Sequence, residues 1–538
     1  MAYTDKAQKI RYKLKRFKRR SVFDHIIQYL HLPENTPLST AKKMLWLPFL
    51  LLEWLFQIEE NPNSRPATKQ QIMSLLNQMN DLQVDASNLE GSIDIHLTLR
   101  RMVIGQQWAQ EHHIEHWFTL TRLHTLTMAG LSKNYFERSF LQVNGYPIND
   151  FFIMSLWILV HAQKAQALSY EQLILGLTPH FSIQTVIKFL NTIGTSLDRL
   201  ETLLKPSINT SIQKQAYFAE TRMLNHPLIY LEEVAVIPHR VLVTKSLSEF
   251  VSKKLRSANA CAFMQRFSKE FERYVEIVIN EYNHENICER EIIASYEANS
   301  LEGKVTDFIL TGDQSLVMLE AKGVGPHERV KVLDNPRLIK HRLRDLWEGV
   351  RQSFGCLKLM TENGLIDHIR YPKRYAVVVT YKDFYISRAK AITDRIAPDL
   401  LVNLHEEFGD YIPIGNIYFM SINEFEGAMK ACSMNNQPLS HFLEYCVIRD
   451  SCPETQSFAV SQHISAYMKA HSQAGHLHIG CDYIMTSKDQ LFDDLANTVL
   501  SNERYWRKNG TSALRQYFLA HNELKKALGL SPQYMSKR

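Results

Sequence analysis

Apolar residues recur at helical spacing through most of the first two hundred positions. Ile72, Leu75, Leu76 and Met79 are one such set, and Leu197, Leu200, Leu203 and Leu204 mark a final helix that Pro206 stops. Ser169 followed by Gln172 reads as a capping box. Residues 44–58 are almost continuously apolar but broken by Pro48 and Glu53, and a bilayer span needs about 20 apolar residues, so a buried helix is expected there. The stretch 61–68 is turn-rich. After Pro206 the texture changes: residues 228–243 alternate and contain Pro238, predicting two short strands and a turn. Helical spacing returns over 263–282 and 342–359. Apolar runs at 305–310, 316–322, 374–380 and 417–422 read as strands, the last followed by a helix over 423–431. Beyond 453–457 the chain is again mostly helical, and no fixed-period repeat is present.

Composition narrows the class. A chain of 538 residues, 45% hydrophobic and 22% charged, is expected to form several globular domains. Seven scattered cysteines without a C-x-x-C pair point to reduced thiols and a cytoplasmic setting rather than a disulfide framework. The basic run at the N-terminus is not followed by a signal-peptide pattern. Net charge is only +6, so its distribution matters more than its sum. Residues 6–20 are a basic arm interleaved with Tyr12 and Phe17, which could contact a phosphate backbone; alternatively Ile10, Leu14 and Phe17 dock it as a helix. Residues 323–341, with Arg329, Lys331, Arg337, Lys340 and His341, form a basic loop or an ordinary surface loop. Arg504, Arg507, Lys508, Arg515, Lys525 and Lys526 make the C-terminal end basic as well. His112, His113 and His116, and the 476–481 segment with two histidines and Cys481, have metal-ligand residue types without the spacing of a zinc site. No phosphate-binding P-loop, nucleophile elbow or dinucleotide fingerprint occurs.

The chemistry concentrates at 305–323. Two apolar runs flank Thr311-Gly312-Asp313-Gln314-Ser315, a hairpin signal. If Asp313 and Gln314 form a two-residue loop, Gly312 pairs with Ser315 and Asp307 falls opposite Glu320. Opposed residues point to one face, and Lys322 joins them two positions on. Val317, Leu319 and Ala321 then face a core. Two carboxylates and an ammonium on one face suit metal-assisted hydrolysis: Mg²⁺ takes one or two carboxylates and keeps several waters, and a nearby lysine orients the nucleophile. The competing reading is a solvated strand face with an edge lysine.

Asp307, then Glu320-Ala321-Lys322 closing an apolar strand, resembles the PD-(D/E)XK, or restriction-endonuclease-like, nuclease superfamily. The resemblance covers residues 251–450. It implies that Asp307 and Glu320 hold Mg²⁺ or Mn²⁺ with the Ala321 carbonyl, and that Lys322 orients the attacking water. Glu272, on the first core helix, would hold a metal water, with Glu276 one turn on as the substitute. Gln352, on the helix after the lysine strand, would position the scissile phosphate or support the lysine.

The expected fold is an α/β nuclease core, a central mixed sheet flanked by helices, with a large all-α N-terminal region (1–205), a β-containing lead-in (206–250), the core (251–450) and a mostly helical C-terminal region (451–538). The expected function is metal-dependent hydrolysis of nucleic acid, DNA favoured, with no membrane partner. Large accessory regions around such a core resemble bacterial anti-phage defence nucleases, which implies a sensor role for the N-terminal region and a phage-derived trigger. Two alternatives stay open: an RNase of the same fold cleaving structured RNA such as tRNA, and a nucleic-acid-binding or scaffold protein with a degenerate core.

Overall fold

Helices dominate both ends of the chain, and two small mixed sheets sit in two different compact units. The computed structural model describes residues 2–33, 44–87, 113–204, 217–282, 285–326, 339–341, 343–367, 369–471 and 480–530. Among these, no helix is long and apolar enough to cross a membrane.

The first unit comprises residues 1–128, 133–258 and 488–538. Its first helix, Ala2–Leu14, buries Tyr3, Ala7, Ile10 and Leu14 at helical spacing. The basic arm is therefore a docked helix. Several of its cations are already engaged: Lys6 with Asp85 at 2.7 Å, Lys13 with Gln78 at 2.6 Å, and Arg19 with Glu201 at 2.8 Å. The apolar stretch forms helix Trp46–Gln57, buried on all sides. Even Glu53 is enclosed, its carboxylate accepting from the Thr221 hydroxyl and the Arg222 N–H, both at 2.6 Å. The Ser169–Gln172 capping box forms as expected at the start of helix Tyr170–Leu177. Strands β1 (Ala167–Ser169), β2 (Gly194–Ser196), β3 (Leu228–Tyr230) and β4 (Val234–Val236) pair in the order β1-β4-β3-β2. The two strands expected in 228–243 are β3 and β4, and they belong to this sheet.

The second unit comprises residues 129–132 and 259–487. Its sheet runs β5 (Asn286–Cys288), β6 (Phe308–Thr311), β7 (Ser315–Lys322), β8 (Lys373–Thr380), β9 (Ile417–Ser421). The first three strands are antiparallel, and β7, β8 and β9 are parallel. Parallel strands need a crossover. Helix Arg344–Glu362 supplies the one between β7 and β8 and packs on both. Helix Ala260–Glu281, capped by Asn259, lays Phe263, Phe267, Phe271, Tyr274 and Val278 inward and packs on β7. Tyr274 ties it to helix Ile422–Met434 by donating to the buried Glu426 at 2.6 Å. Glu424 closes the capping box of that helix and also accepts from the Ser461 N–H at 3.1 Å, joining helix Val460–Ala470 to it. Strand β7 thus lies mid-sheet with seven of its eight residues buried.

Candidate active site

The hairpin of β6 and β7 closes as its sequence predicts. The Gly312 N–H donates to the Ser315 carbonyl at 2.9 Å, leaving Asp313 and Gln314 as the loop. A side chain at Gly312 would put its Cβ 2.6 Å from the Ser315 hydroxyl oxygen and would displace that hydroxyl, which donates to Ser440 at 2.7 Å. Phe308 pairs with Leu319 and Thr311 with Leu316, and the same register carries Asp307 opposite Glu320. Asp307 Oδ2 accepts from the Ala321 N–H at 2.6 Å, which locks the residue just before β6 onto the end of β7.

Glu320 is fully buried. The solvated strand face is therefore not what the chain builds. Its Oε2 accepts from Lys322 Nζ at 2.7 Å, and the same ammonium donates to Gln352 Oε1 at 2.6 Å. Asp307, Glu320, Lys322 and Gln352 are thus one connected group. Thr306 lies close enough to ease the Glu320 charge, but its hydroxyl donates to the Leu319 carbonyl at 3.0 Å, and Glu320 Oε1 is left without a hydrogen-bond partner. Two glycines shape the surroundings. At Gly349 a Cβ would stand 3.1 Å from Val378, so the bare backbone of helix Arg344–Glu362 packs closely on β8 beside Lys322. At Gly323 a Cβ would stand 2.9 Å from Ser268 Cα, so the helix bearing Glu272 rests directly on the backbone after Lys322.

The electrostatics are those of crowded acids. Burial, then the Asp307 charge, pushes Glu320 up to about 8 despite Lys322. Burial, then Asp307 and Glu289, pushes Glu272 up to about 7. Asp307 is raised by burial, against the pull of Lys322 and the Ala321 N–H. Burial disfavours the Lys322 ammonium, but Glu320, Asp307 and Glu348 together outweigh it, and its pKa rises. Glu272 thus feels Asp307 and Lys322 from its helix. Glu276 lies beside Arg290 at 3.8 Å.

Glu289 was not singled out by the sequence. It is the first residue of helix Glu289–Ala298, directly after β5, and its N–H donates to the Asp307 carbonyl at 2.8 Å. Its signal in the sequence was slight, because β5 is only three residues long.

Could these residues hold a cation? Among the described residues, no three His, Cys, Asp or Glu side chains gather as a metal-binding group. A carboxylate-rich cage for zinc or calcium is not built. A Mg²⁺-type ion does not require one, since it binds through one or two carboxylates and keeps its waters. The unpartnered, buried Glu320 Oε1 beside Asp307 fits that mode.

The other candidates form no further site among the described residues. His112, His476, His478, Arg329, Lys331 and Arg337 lie outside the described residues, as do the side chains of His113 and His116. Cys481 is buried, with its sulfur 3.4 Å from the Tyr274 hydroxyl. Lys340 pairs with Asp399, and Lys525 with Glu233. Compared with known proteins, the chain matches no family model, no curated protein and no solved structure.

Proposed function

We propose that the second unit is a metal-dependent nuclease that hydrolyses phosphodiester bonds, with DNA the favoured substrate. The observation that carries this reading is the Lys322 ammonium held between Glu320 and Gln352, next to an Asp307 carboxylate fixed by the Ala321 N–H. Asp307 and Glu320, with the Ala321 carbonyl, would hold Mg²⁺ or Mn²⁺. The bound ion supplies Lewis-acid stabilisation of the charge that develops on the phosphodiester.

The chain's own residues do the rest. An ammonium has three N–H donors. Two of those on Lys322 are committed, and the third is available to orient a water for attack. The Oε1 of Gln352 is occupied by Lys322, so its amide N–H₂ is the end that can reach a phosphate oxygen. Glu272, half-buried and with its proton affinity near neutrality, can hold a water and take up a proton as attack proceeds. The setting carried from the family resemblance is anti-phage defence, with activity released by a phage-derived trigger.

The test is incubation of the purified full chain with plasmid DNA and with total RNA, in Mg²⁺ and in EDTA. Cleavage in Mg²⁺ alone is expected, falling at least about a hundredfold in Asp307→Ala, Glu320→Ala and Lys322→Ala, the scale set by removal of a single transition-state donor elsewhere. Absence of any metal-dependent cleavage would make this a binding or scaffold protein. Cleavage of RNA only would reassign the substrate.

A further inference from the structure

The two strands of the hairpin do not end together. Strand β6 starts at Phe308, opposite Leu319, whereas β7 runs on to Lys322. Past Glu320, the edge of β7 that faces the hairpin has no strand paired to it. The Ala321 N–H lies on that edge and donates to the Asp307 carboxylate instead of a backbone carbonyl. The next donor along the same edge is the Gly323 N–H. Its direction follows from the other end of its peptide group. The Lys322 carbonyl accepts from the Tyr381 N–H at 3.3 Å, so it points toward the chain leaving β8. In a planar trans peptide the C=O and N–H point opposite ways. The cis bond among the described residues is elsewhere, at Thr178–Pro179. The Gly323 N–H therefore points away from β8, to the side on which Asp307 lies. Among the described residues it has no hydrogen-bond partner. Gly323 is buried, and an unpaired N–H at a buried residue is rare.

Helix Ala260–Glu281 brings a second donor to the same point. A Cβ at Gly323 would stand 3.1 Å from the Ser268 hydroxyl oxygen. Ser268 is half-buried, and its hydroxyl has no partner among the described residues. Glu272 follows four positions on, on the same face of the helix, and feels the charges of Asp307 and Lys322. An N–H and an O–H thus meet beside the carboxylates with no acceptor between them. Resting on the nuclease reading of this site, we propose that the Gly323 N–H and the Ser268 hydroxyl bind one non-bridging oxygen of the scissile phosphate. The ion at Asp307, Glu320 and the Ala321 carbonyl takes the other. The Ala321 C=O and the Gly323 N–H are successive groups on one edge of the strand, so both contacts can be made by a single phosphate. Donors already in place stabilise the charge that grows on such an oxygen during attack.

The experiment uses the full chain and whichever nucleic acid it cleaves. Sulfur replaces one non-bridging oxygen at a mapped cleavage position, the Rp and Sp isomers being assayed separately in Mg²⁺ and in Mn²⁺. Sulfur is a soft ligand and a weak hydrogen-bond acceptor. The isomer with sulfur toward the ion should be slow in Mg²⁺ and recover in Mn²⁺. The isomer with sulfur toward Ser268 and Gly323 should be slow in both metals. Ser268→Ala should lose about tenfold to a hundredfold in kcat/KM on the all-oxygen substrate, the range for one hydrogen bond to a charged group. It should also discriminate less than the wild type against the second isomer only, and melt with the wild type. Recovery of both isomers in Mn²⁺, or wild-type rates and discrimination in Ser268→Ala, overturns the phosphate contact and leaves the nuclease reading standing. The isomer comparison needs no variant, so it decides the matter even if Ser268→Ala does not fold. No metal-dependent cleavage by the wild type overturns both.

Discussion

Replacing Glu320 by glutamine should stabilise the metal-free protein at pH 8 and leave it nearly unchanged at pH 4.5. Folding raises the Glu320 carboxyl from 4.5 to about 8 because the side chain is fully buried and faces Asp307. Between those values the folded chain binds a proton that the unfolded chain has released. Stability from this group is therefore fully present below the unfolded value and falls as pH rises through the folded one. At about 1.36 kcal/mol per pH unit, the gap is worth roughly 5 kcal/mol by pH 8. Glutamine is the neutral isostere of the protonated acid and does not incur that cost. The assay is urea unfolding in EDTA at pH 4.5, 6 and 8, read from β7 peptides by pulsed hydrogen exchange so that the second unit is followed by itself. The variant's advantage should open by several kcal/mol across the series. Added Mg²⁺ at a hundred times its Kd should then narrow that gap by about 2.7 kcal/mol, because it stabilises the wild type and glutamine offers it no charge. A difference between the two proteins that stays constant with pH would refute the reasoning.

Gly323→Ala should lower stability by about 1–3 kcal/mol, the range for an overpacked site. It should also slow cleavage, since its Cβ pushes on Ser268 and displaces the helix that carries Glu272; a melting curve and a kcat measurement check both. Gln352→Ala should cost about a hundredfold in kcat, the low side of what one transition-state donor supplies, with near-wild-type Mn²⁺ affinity, because it loosens Lys322 without touching the cation. Deleting the first 20 residues should destabilise the first unit rather than simply flatten the salt dependence of substrate binding, because it removes Tyr3, Ile10, Leu14 and Phe17 from the core. A truncated chain that melts with the wild type would show that the helix is dispensable.

What could be read in advance followed from local rules. A glycine-containing loop between two apolar runs fixes a hairpin register, so the placing of Asp307 opposite Glu320 needed no long-range information. The helices bearing Glu272 and Gln352 announced themselves by period. The strands β1, β2 and β5 are three residues each, too short to show alternation, and they were missed; with β5 went the bond from Glu289 to Asp307. The state of Glu320 was not legible either. Glu320 and Lys322, two positions apart at the end of β7, read as a half-exposed face, whereas helix packing on β7 buries Glu320 completely. The first helix was ambiguous for the opposite reason: its basic residues dominate the composition, while four apolar residues at helical spacing decide where it goes.

The hairpin also sets where the gene can tolerate insertions. Asp307 and the Ala321 N–H that holds it are 14 residues apart, Lys322 and Gln352 are 30 apart, and Tyr274 and Glu426 are 152 apart. The longer connections can absorb extra residues, since doubling a loop costs only about 0.6 kcal/mol. Strand β7 cannot. One residue added between Leu316 and Leu319 shifts the side-chain alternation by one step and turns Glu320 and Lys322 to the opposite face of the sheet. A single in-frame codon there would disarm the site more completely than a whole inserted peptide before helix Arg344–Glu362, and a scan of insertions across residues 300–360 would show inactivation within β6, β7 and that helix and tolerance in the segment between β7 and the helix.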